Sequence, residues 1–306
     1  MTDLIIIGGG PAGCAAGVYA ARKQIKTLLF AESFGGQSVV SNDIQNWIGT
    51  ITLSGEQLAQ SLKKHLEAYA NNVVMIHEKR VQEITRENNN FTVTADNVAY
   101  QTRAILIATG SHHRKLEVPG ADIFEHKGLT YCASCDGPLF SGKDLVVLGG
   151  GNAAFETAAQ LLAYAKSVTL IHRGNDFFRA DSITVEKILS HPHMRAIKNS
   201  EILEIKGDSF VTSITYKNKE IGEVIDLPTG GIFIEIGQLP NTDFVKDIVT
   251  LNKWGHIVID PRTQQTTTKM IWAAGDCTDV LYHQNNIAAG DAVRAIEDIY
   301  QHLYAK

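Results

Sequence analysis

Two glycine loops constrain this chain more than anything else in it. Gly8-Gly9-Gly10-Pro11-Ala12-Gly13 follows the apolar run Leu4-Ile5-Ile6-Ile7 and opens an alanine-rich stretch, residues 12–23. Gly149-Gly150-Gly151-Asn152-Ala153-Ala154 follows Leu145-Val146-Val147-Leu148 and opens a second helix-like stretch, residues 152–165. In such a strand–loop–helix the first glycine permits the tight turn. The second lets the backbone approach a pyrophosphate, and the third, which is Ala154 in the second loop as a permitted variant, lets helix and strand pack closely. The helix N-terminus then offers amide donors and positive partial charge to the phosphates. With strands at 27–31 and 168–171 closing each unit, the pattern predicts an α/β chain with two dinucleotide sites.

The flanks of the two loops differ. Glu32, about 20 residues beyond the first loop, is placed to accept from ribose hydroxyls. His172 and Arg173 end the corresponding strand of the second unit, with Arg179 shortly after. Arginine there attracts a 2′-phosphate that an acid would repel. The first site therefore reads as one for FAD and the second as one for NADPH. Two late segments bear on the first site. The strand-like run at 271–274 ends in Gly275-Asp276, which puts Asp276 at the carboxyl edge of the sheet. Residues 282–289 start a helix whose first amides could face a flavin ring.

A chain of 306 residues has room for about two domains. Ser54-Gly55-Glu56-Gln57 has the capping-box pattern, and Leu58, Leu62 and Leu66 follow at helical spacing. Residues 73–100, 104–108, 201–216, 221–236, 257–259 and 271–274 read as strands, and 287–304 as a terminal helix. Residues 111–119 look like a linker, and Gly237-Gln238-Leu239-Pro240-Asn241 like a second crossing. The first unit lacks its last strands until after residue 244. The expected layout is one nucleotide domain inserted into another: 1–112 with 245–306, and 113–244 between them. Two crossings make a natural hinge.

The net charge of −5 gives no reason to expect nucleic acid. No apolar run reaches the roughly 18 residues of a membrane span, and no signal peptide is evident, so a cytoplasmic location is expected. There are four cysteines. Cys132-Ala133-Ser134-Cys135 lies between the two loops and suggests redox chemistry or metal; Cys14 and Cys277 supply no second pair, so no metal is expected. They read as inert buried thiols. His112, His113, His126, His191 and His193 read as linker or surface residues, and Trp47 as a packing aromatic.

At this point the chain resembles the low-molecular-weight thioredoxin reductases, within the pyridine nucleotide–disulfide oxidoreductases. The residues that carry the resemblance, besides the two loops, are Gly35-Gly36-Gln37, Asn46-Trp47, Ala108-Thr109-Gly110, Tyr131-Cys132-Ala133-Ser134-Cys135-Asp136-Gly137, His172-Arg173, Ile236-Gly237-Gln238-Leu239-Pro240-Asn241, Gly275-Asp276 and Gln284-Asn285-Asn286-Ile287-Ala288. The run Cys135 to Phe140 is also similar to the flavoprotein component of alkyl hydroperoxide reductase. The resemblance implies two Rossmann-like domains of three-layer ββα type, the second inserted into the first and carrying the dithiol. It implies FAD held by Gly8, Gly10, Pro11, Ala12, Gly13, Glu32, Gly36, Gln37, Asn46, Thr109, Gly110, Gly275, Asp276, Gln284, Asn285, Ile287 and Ala288. NADPH would be held by Gly149, Gly151, Asn152, Ala153, His172, Arg173, Arg179 and Gly237. Cys135 would face the flavin, Cys132 would attack the partner's disulfide, and Asp136 would move protons as thiols form and leave. The implied partner is a thioredoxin-like protein disulfide, and the implied assembly a homodimer whose inserted domain rotates on linkers near 111–119 and 237–244.

The chain departs from that family at several positions. Gly174 stands where a second arginine is usual, Arg179 is displaced by one residue, Ala153 replaces a hydroxyl residue, and Thr157 stands where a second glutamate is common. These changes open the way to NADH or a ferredoxin-type donor. A flavoprotein dithiol oxidase and a flavin redox sensor without turnover are further alternatives.

Overall fold

The computed structural model describes residues 1–41, 44–69, 73–87, 90–178 and 180–305. The chain divides into two compact units, Met1–His112 with Gln238–Lys306, and His113–Gly237.

The first unit begins β1 (Thr2–Ile7), α1 (Pro11–Arg22), β2 (Thr27–Phe30), α2 (Gly55–Tyr69), β3 (Val74–His77), β4 (Val81–Glu87), β5 (Asn90–Ala95) and β6 (Val98–Ile107). They form a sheet in the order β3-β2-β1-β6-β5-β4. The strands at the β3–β1 end run parallel, while β4, β5 and β6 make an antiparallel meander. The apolar run in β1 is unbroken because both faces of the sheet are covered. Leu4 and Ile6 point into a core with Ala16, Ala20 and Leu106, and Ile5 and Ile7 into another with Phe91, Val93 and Ile105. Ahead of α2 the capping box is closed in both directions: the Gln57 amide donates to Ser54 Oγ at 3.1 Å and the Ser54 amide to Gln57 Oε1 at 2.8 Å. Such a cap contributes about 1 kcal/mol.

The chain leaves this unit through β7 (Ser111–His113). The second unit follows as α3 (Ala121–Phe124), β8 (Leu129–Thr130), α4 (Ala133–Asp136), β9 (Asp144–Gly149), α5 (Asn152–Leu161), β10 (Ser167–Ile171), α6 (Ser182–Leu189), β11 (Met194–Ile197), β12 (Ser200–Gly207), β13 (Val211–Asn218), β14 (Val224–Pro228) and β15 (Gly231–Glu235). A parallel sheet in the order β11-β10-β9-β15-β8 stands beside an antiparallel one in the order β12-β13-β14. Leu145 and Val147 pack on Phe155 and Ala158 of α5, while Val146 and Leu148 pack on Ile214 and Tyr216 of β13. The two-residue period of β9 thus builds three layers: helices, parallel sheet, antiparallel sheet. The chain returns through β16 (Gln238–Pro240), which pairs with β7, and ends in β17 (Ile271–Ala273), laid parallel to β6, and α7 (Asn285–Tyr304).

Several elements differ from expectation. The second crossing falls at Gly237–Gln238, inside the expected run 237–241, and the first unit resumes there rather than after residue 244. The Asn241 amide donates to Gly110 O at 3.0 Å and Thr242 Oγ1 to Gly255 O at 2.7 Å, so this stretch is bonded into the first unit. Residues 111–113 of the expected linker form a strand. α5 stops at Leu161, four residues short of the expected 165, where the amides of Ala163 and Tyr164 turn back to the third residue behind them. Residues 257–259 make isolated bridges rather than a strand. α6 carries only one short apolar set, Val185, Ile188 and Leu189; its start is capped by Asp181, whose carboxylate accepts from the Thr184 amide at 2.9 Å. Among the described residues no helix is long and apolar enough to cross a membrane, and no group of three His, Cys, Asp or Glu side chains could hold a metal.

Candidate active site

The first glycine loop is shaped by close backbone contacts. Gly8 has φ +128°, and a β-carbon there would lie 2.1 Å from Ala108 O at the end of β6. A β-carbon on Gly13 would lie 1.9 Å from Gly8 O, so helix and loop touch backbone to backbone. Gly10 caps α1 without any side-chain bond to the helix amides, and Pro11 takes the first helical position. The turn at Gly35-Gly36 comes over this end, where a β-carbon on Gly36 would sit 3.4 Å from Gly10 Cα. Gly275, with φ +75°, follows β17, and its side-chain position faces Ala12 at 3.4 Å and Ala288 at 3.1 Å. The N-terminal ends of α1 and α7 therefore meet at the carboxyl edge of the sheet.

Around that point stand the other expected residues. Glu32 is exposed beyond β2, 3.7 Å from Arg80. Gln37 Nε2 donates to Ser111 Oγ at 3.1 Å, while its Oε1 is buried without a partner. Asn46 Nδ2 donates to Gln284 Oε1 at 3.2 Å, and Asn285 pairs with Ser38 through its side chain at 2.8 Å. Thr109 Oγ1 donates to Asn241 O at 2.7 Å, and Gly110 O accepts from the Asn241 amide. Asp276 is half-buried; burial raises its carboxyl above the usual range, with His283 acting in the opposite direction. Ile287 and Ala288 lie in the first turn of α7.

In the second unit Cys132 and Cys135 form a disulfide, their Cα atoms 5.3 Å apart. The Cys135 amide donates to Cys132 Sγ at 3.2 Å, a contact that favours a thiolate at Cys132 once the bond is reduced. Asp136 accepts from Thr130 Oγ1. Burial holds its carboxyl above the usual carboxylate range, opposed by that hydrogen bond and by His126. An acid that stays protonated longer than usual beside a dithiol is suited to donating a proton to a leaving thiolate.

The second glycine loop repeats the plan of the first. Gly149 ends β9, Gly151 caps α5 with no side-chain bond, and Asn152 Oδ1 accepts from the Asp181 amide at 2.7 Å. Ala153 is exposed in the first turn. His172 is boxed in: a β-carbon on Gly150 would come within 2.2 Å of its Nδ1 and one on Gly174 within 2.7 Å of its Nε2. The glycine at 174 in place of an arginine thus leaves room for the imidazole. Arg173 is exposed at the end of β10. Arg179 lies outside the described residues. Gly237 sits on the crossing, where its carbonyl accepts from the Arg114 amide at 2.9 Å. One group was missed from the sequence. Glu235 ends β15 beside Gly149, its Oε1 accepting from Thr157 Oγ1 at 2.7 Å. Burial pushes its carboxyl up to about 7. The signal was an acid set inside an apolar strand, Ile234-Glu235-Ile236.

Comparison with known proteins agrees with this architecture. The family model for pyridine nucleotide-disulphide oxidoreductases matches residues 2–295. One component of the alkyl hydroperoxide reductase of Escherichia coli is 38% identical over 304 residues, 98% of this chain and 58% of that protein. A protein named NADH dehydrogenase from Bacillus subtilis is 36% identical over 302 residues, with the same 98% and 58%. The chain thus spans less than two thirds of these curated relatives. The thioredoxin reductase of Streptococcus pyogenes superposes with a TM-score of 0.89 at 33% identity, over 100% of this chain and 99% of that one. Two Rossmann-like units of thioredoxin reductase fold, with a disulfide in the inserted one, place the chain in the pyridine nucleotide–disulphide oxidoreductase family.

Proposed function

We propose that the chain is a flavin-dependent disulfide reductase that takes electrons from NADPH and delivers them through Cys132 and Cys135 to a thioredoxin-like protein disulfide. The observation that carries the reading is the Cys132–Cys135 disulfide, with Asp136 next to it and bonded to Thr130, in the same unit as a dinucleotide-type glycine loop.

The first unit suits FAD. The uncapped amides of α1, the side-chain-free space between Gly10 and Gly36, and the unpartnered Gln37 Oε1 all ask for polar, phosphate-bearing company. Gly8, Gly10, Pro11, Ala12 and Gly13 would hold the pyrophosphate, Glu32 a ribose, and Gln37, Asp276 and the first turn of α7 the remainder. FAD when bound supplies the two-electron carrier between nucleotide and disulfide.

The chain's own residues supply the sulfur chemistry. Two electrons and two protons convert the Cys132–Cys135 disulfide to a dithiol. The Cys132 thiolate, favoured by the Cys135 amide, attacks a sulfur of the partner's disulfide and expels the other as a thiolate, which takes a proton from Asp136. Cys135 then attacks Cys132 Sγ, restoring the internal disulfide and freeing the partner's second thiolate for protonation. A homodimer acting in the cytoplasm is the setting this reading implies.

NADH is the second reading of the donor. Gly174, kept small by His172, leaves the strand end without the usual second arginine, and Arg173 is the one described arginine in that segment. Cys135→Ser tests the electron path in anaerobic stopped flow. NADPH should still bleach the flavin band while disulfide turnover disappears; a variant with full turnover would refute the path, and a wild type whose flavin ignores both nucleotides would refute the donor.

A further inference from the structure

Glu235 has no place in the sulfur chemistry, yet it sits in the mouth of the second dinucleotide loop. β15 is the neighbour of β9 on the side away from β10. At its end a β-carbon on Gly149 would lie 2.4 Å from Glu235 O, so strand and loop touch. A dinucleotide on such a unit lies across the carboxyl edge, with its adenosine ribose read at the end of the second strand. Here that end is β10, with the exposed Arg173. The nicotinamide half must then pass to the other flank of β9, over the end of β15.

The carboxyl is held there by Thr157 Oγ1 at 2.7 Å, from the second turn of α5. The charged group bearing on it from α5 is Glu156, of like sign, and among the described residues no cation acts on it. His172 packs against Gly150 on the opposite side of the loop, and Asp136, beyond β8, is engaged with Thr130. A half-buried carboxyl without a cation is costly to ionise unless a ligand supplies the positive charge. The nicotinamide ring is cationic when oxidised and neutral when reduced.

We propose that Glu235 is the residue through which this loop reads the charge of the nicotinamide ring, favouring the oxidised, cationic nucleotide over the neutral reduced one. Thr157 positions the carboxyl for that task. The two flanks of the loop then match the two ends of the nucleotide, cationic Arg173 toward the adenosine end and acidic Glu235 toward the pyridinium. With the carboxyl titrating near pH 7, the preference is full above that pH and fades below it. The proposal rests on reading the second loop as a pyridine nucleotide site.

The test is calorimetric titration of the FAD-loaded protein with NADP+ and with its 1,4,5,6-tetrahydronicotinamide analogue, whose neutral ring gives up no hydride. In the wild type the affinity ratio favouring NADP+ should rise about tenfold between about pH 6 and about pH 8.5, the scale expected of one partly screened ion pair. Glu235→Gln should hold the ratio constant with pH. Thr157→Val, which removes a bond favouring the ionised carboxyl, should move the rise to higher pH and checks the same point independently. A wild-type ratio flat with pH, or the same rise in Glu235→Gln, overturns the role of Glu235 alone. Failure of either ligand to bind the wild type overturns the nucleotide reading with it.

Discussion

Replacing Glu235 by glutamine should stabilise the free protein, and by an amount that depends on pH. The carboxyl titrates near 4.5 in an unfolded chain and near 7 in the fold. Its folded value is raised, so its contribution is fully present below about pH 4.5 and is lost as the pH climbs through 7. The difference of about 2.5 units corresponds to roughly 3 kcal/mol, at about 1.36 kcal/mol per unit. Glutamine is neutral at every pH, and its Oε1 can still accept from Thr157 Oγ1. The variant's advantage should therefore be about 1 kcal/mol near pH 5, and should reach roughly 3 kcal/mol at pH 7 with a plateau above. The assay is urea unfolding of wild type and variant without nucleotide, followed by circular dichroism across that range. An advantage that does not change with pH, or that shrinks as pH rises, would refute the placing of a proton-retaining carboxyl at the end of β15.

Three other outcomes follow from the site. Arg173→Ala should raise KM for NADPH about tenfold more than for NADH, the scale of one lost charge-assisted hydrogen bond; equal effects in steady-state kinetics would argue against a phosphate contact. Gly13→Ala should abolish flavin retention, because its new methyl would lie 1.9 Å from Gly8 O, a backbone atom that cannot swing aside; a purified variant with the wild-type flavin absorbance would contradict this. Asp136→Asn should slow disulfide interchange by about a hundredfold or more near neutral pH while leaving flavin reduction by nucleotide intact. A stopped-flow series in which both phases slow together would point instead to a structural fault.

Much of the site was legible because its signals are local. The glycine loops, Asp276 after its strand and the Cys132–Cys135 spacing each lie within a few residues, where sterics and helix ends dictate what can follow. The run 237–241 shows as a crossing, but that the first unit resumes at Gln238 and not after 244 depends on Asn241 bonding to Thr109 and Gly110, which are remote in sequence. α6 is hard to see because its eight residues carry only one short apolar set and its start is marked by a single capping carboxylate.

The amino-acid order alone was enough to specify two βαβ units, the capping box at Ser54 and Gln57, and a dithiol between two nucleotide loops. These follow from backbone freedom at glycine, from the two-residue period of buried strands and from hydrogen bonds only three residues long. Folding in three dimensions was needed to bring Ala108 against Gly8, to set His172 against Gly150, and to join Glu235 to Thr157 across 78 positions of chain. Contacts of that range depend on how strands are ordered in a sheet and how a helix packs on them, and burial there sets whether a carboxyl keeps its proton.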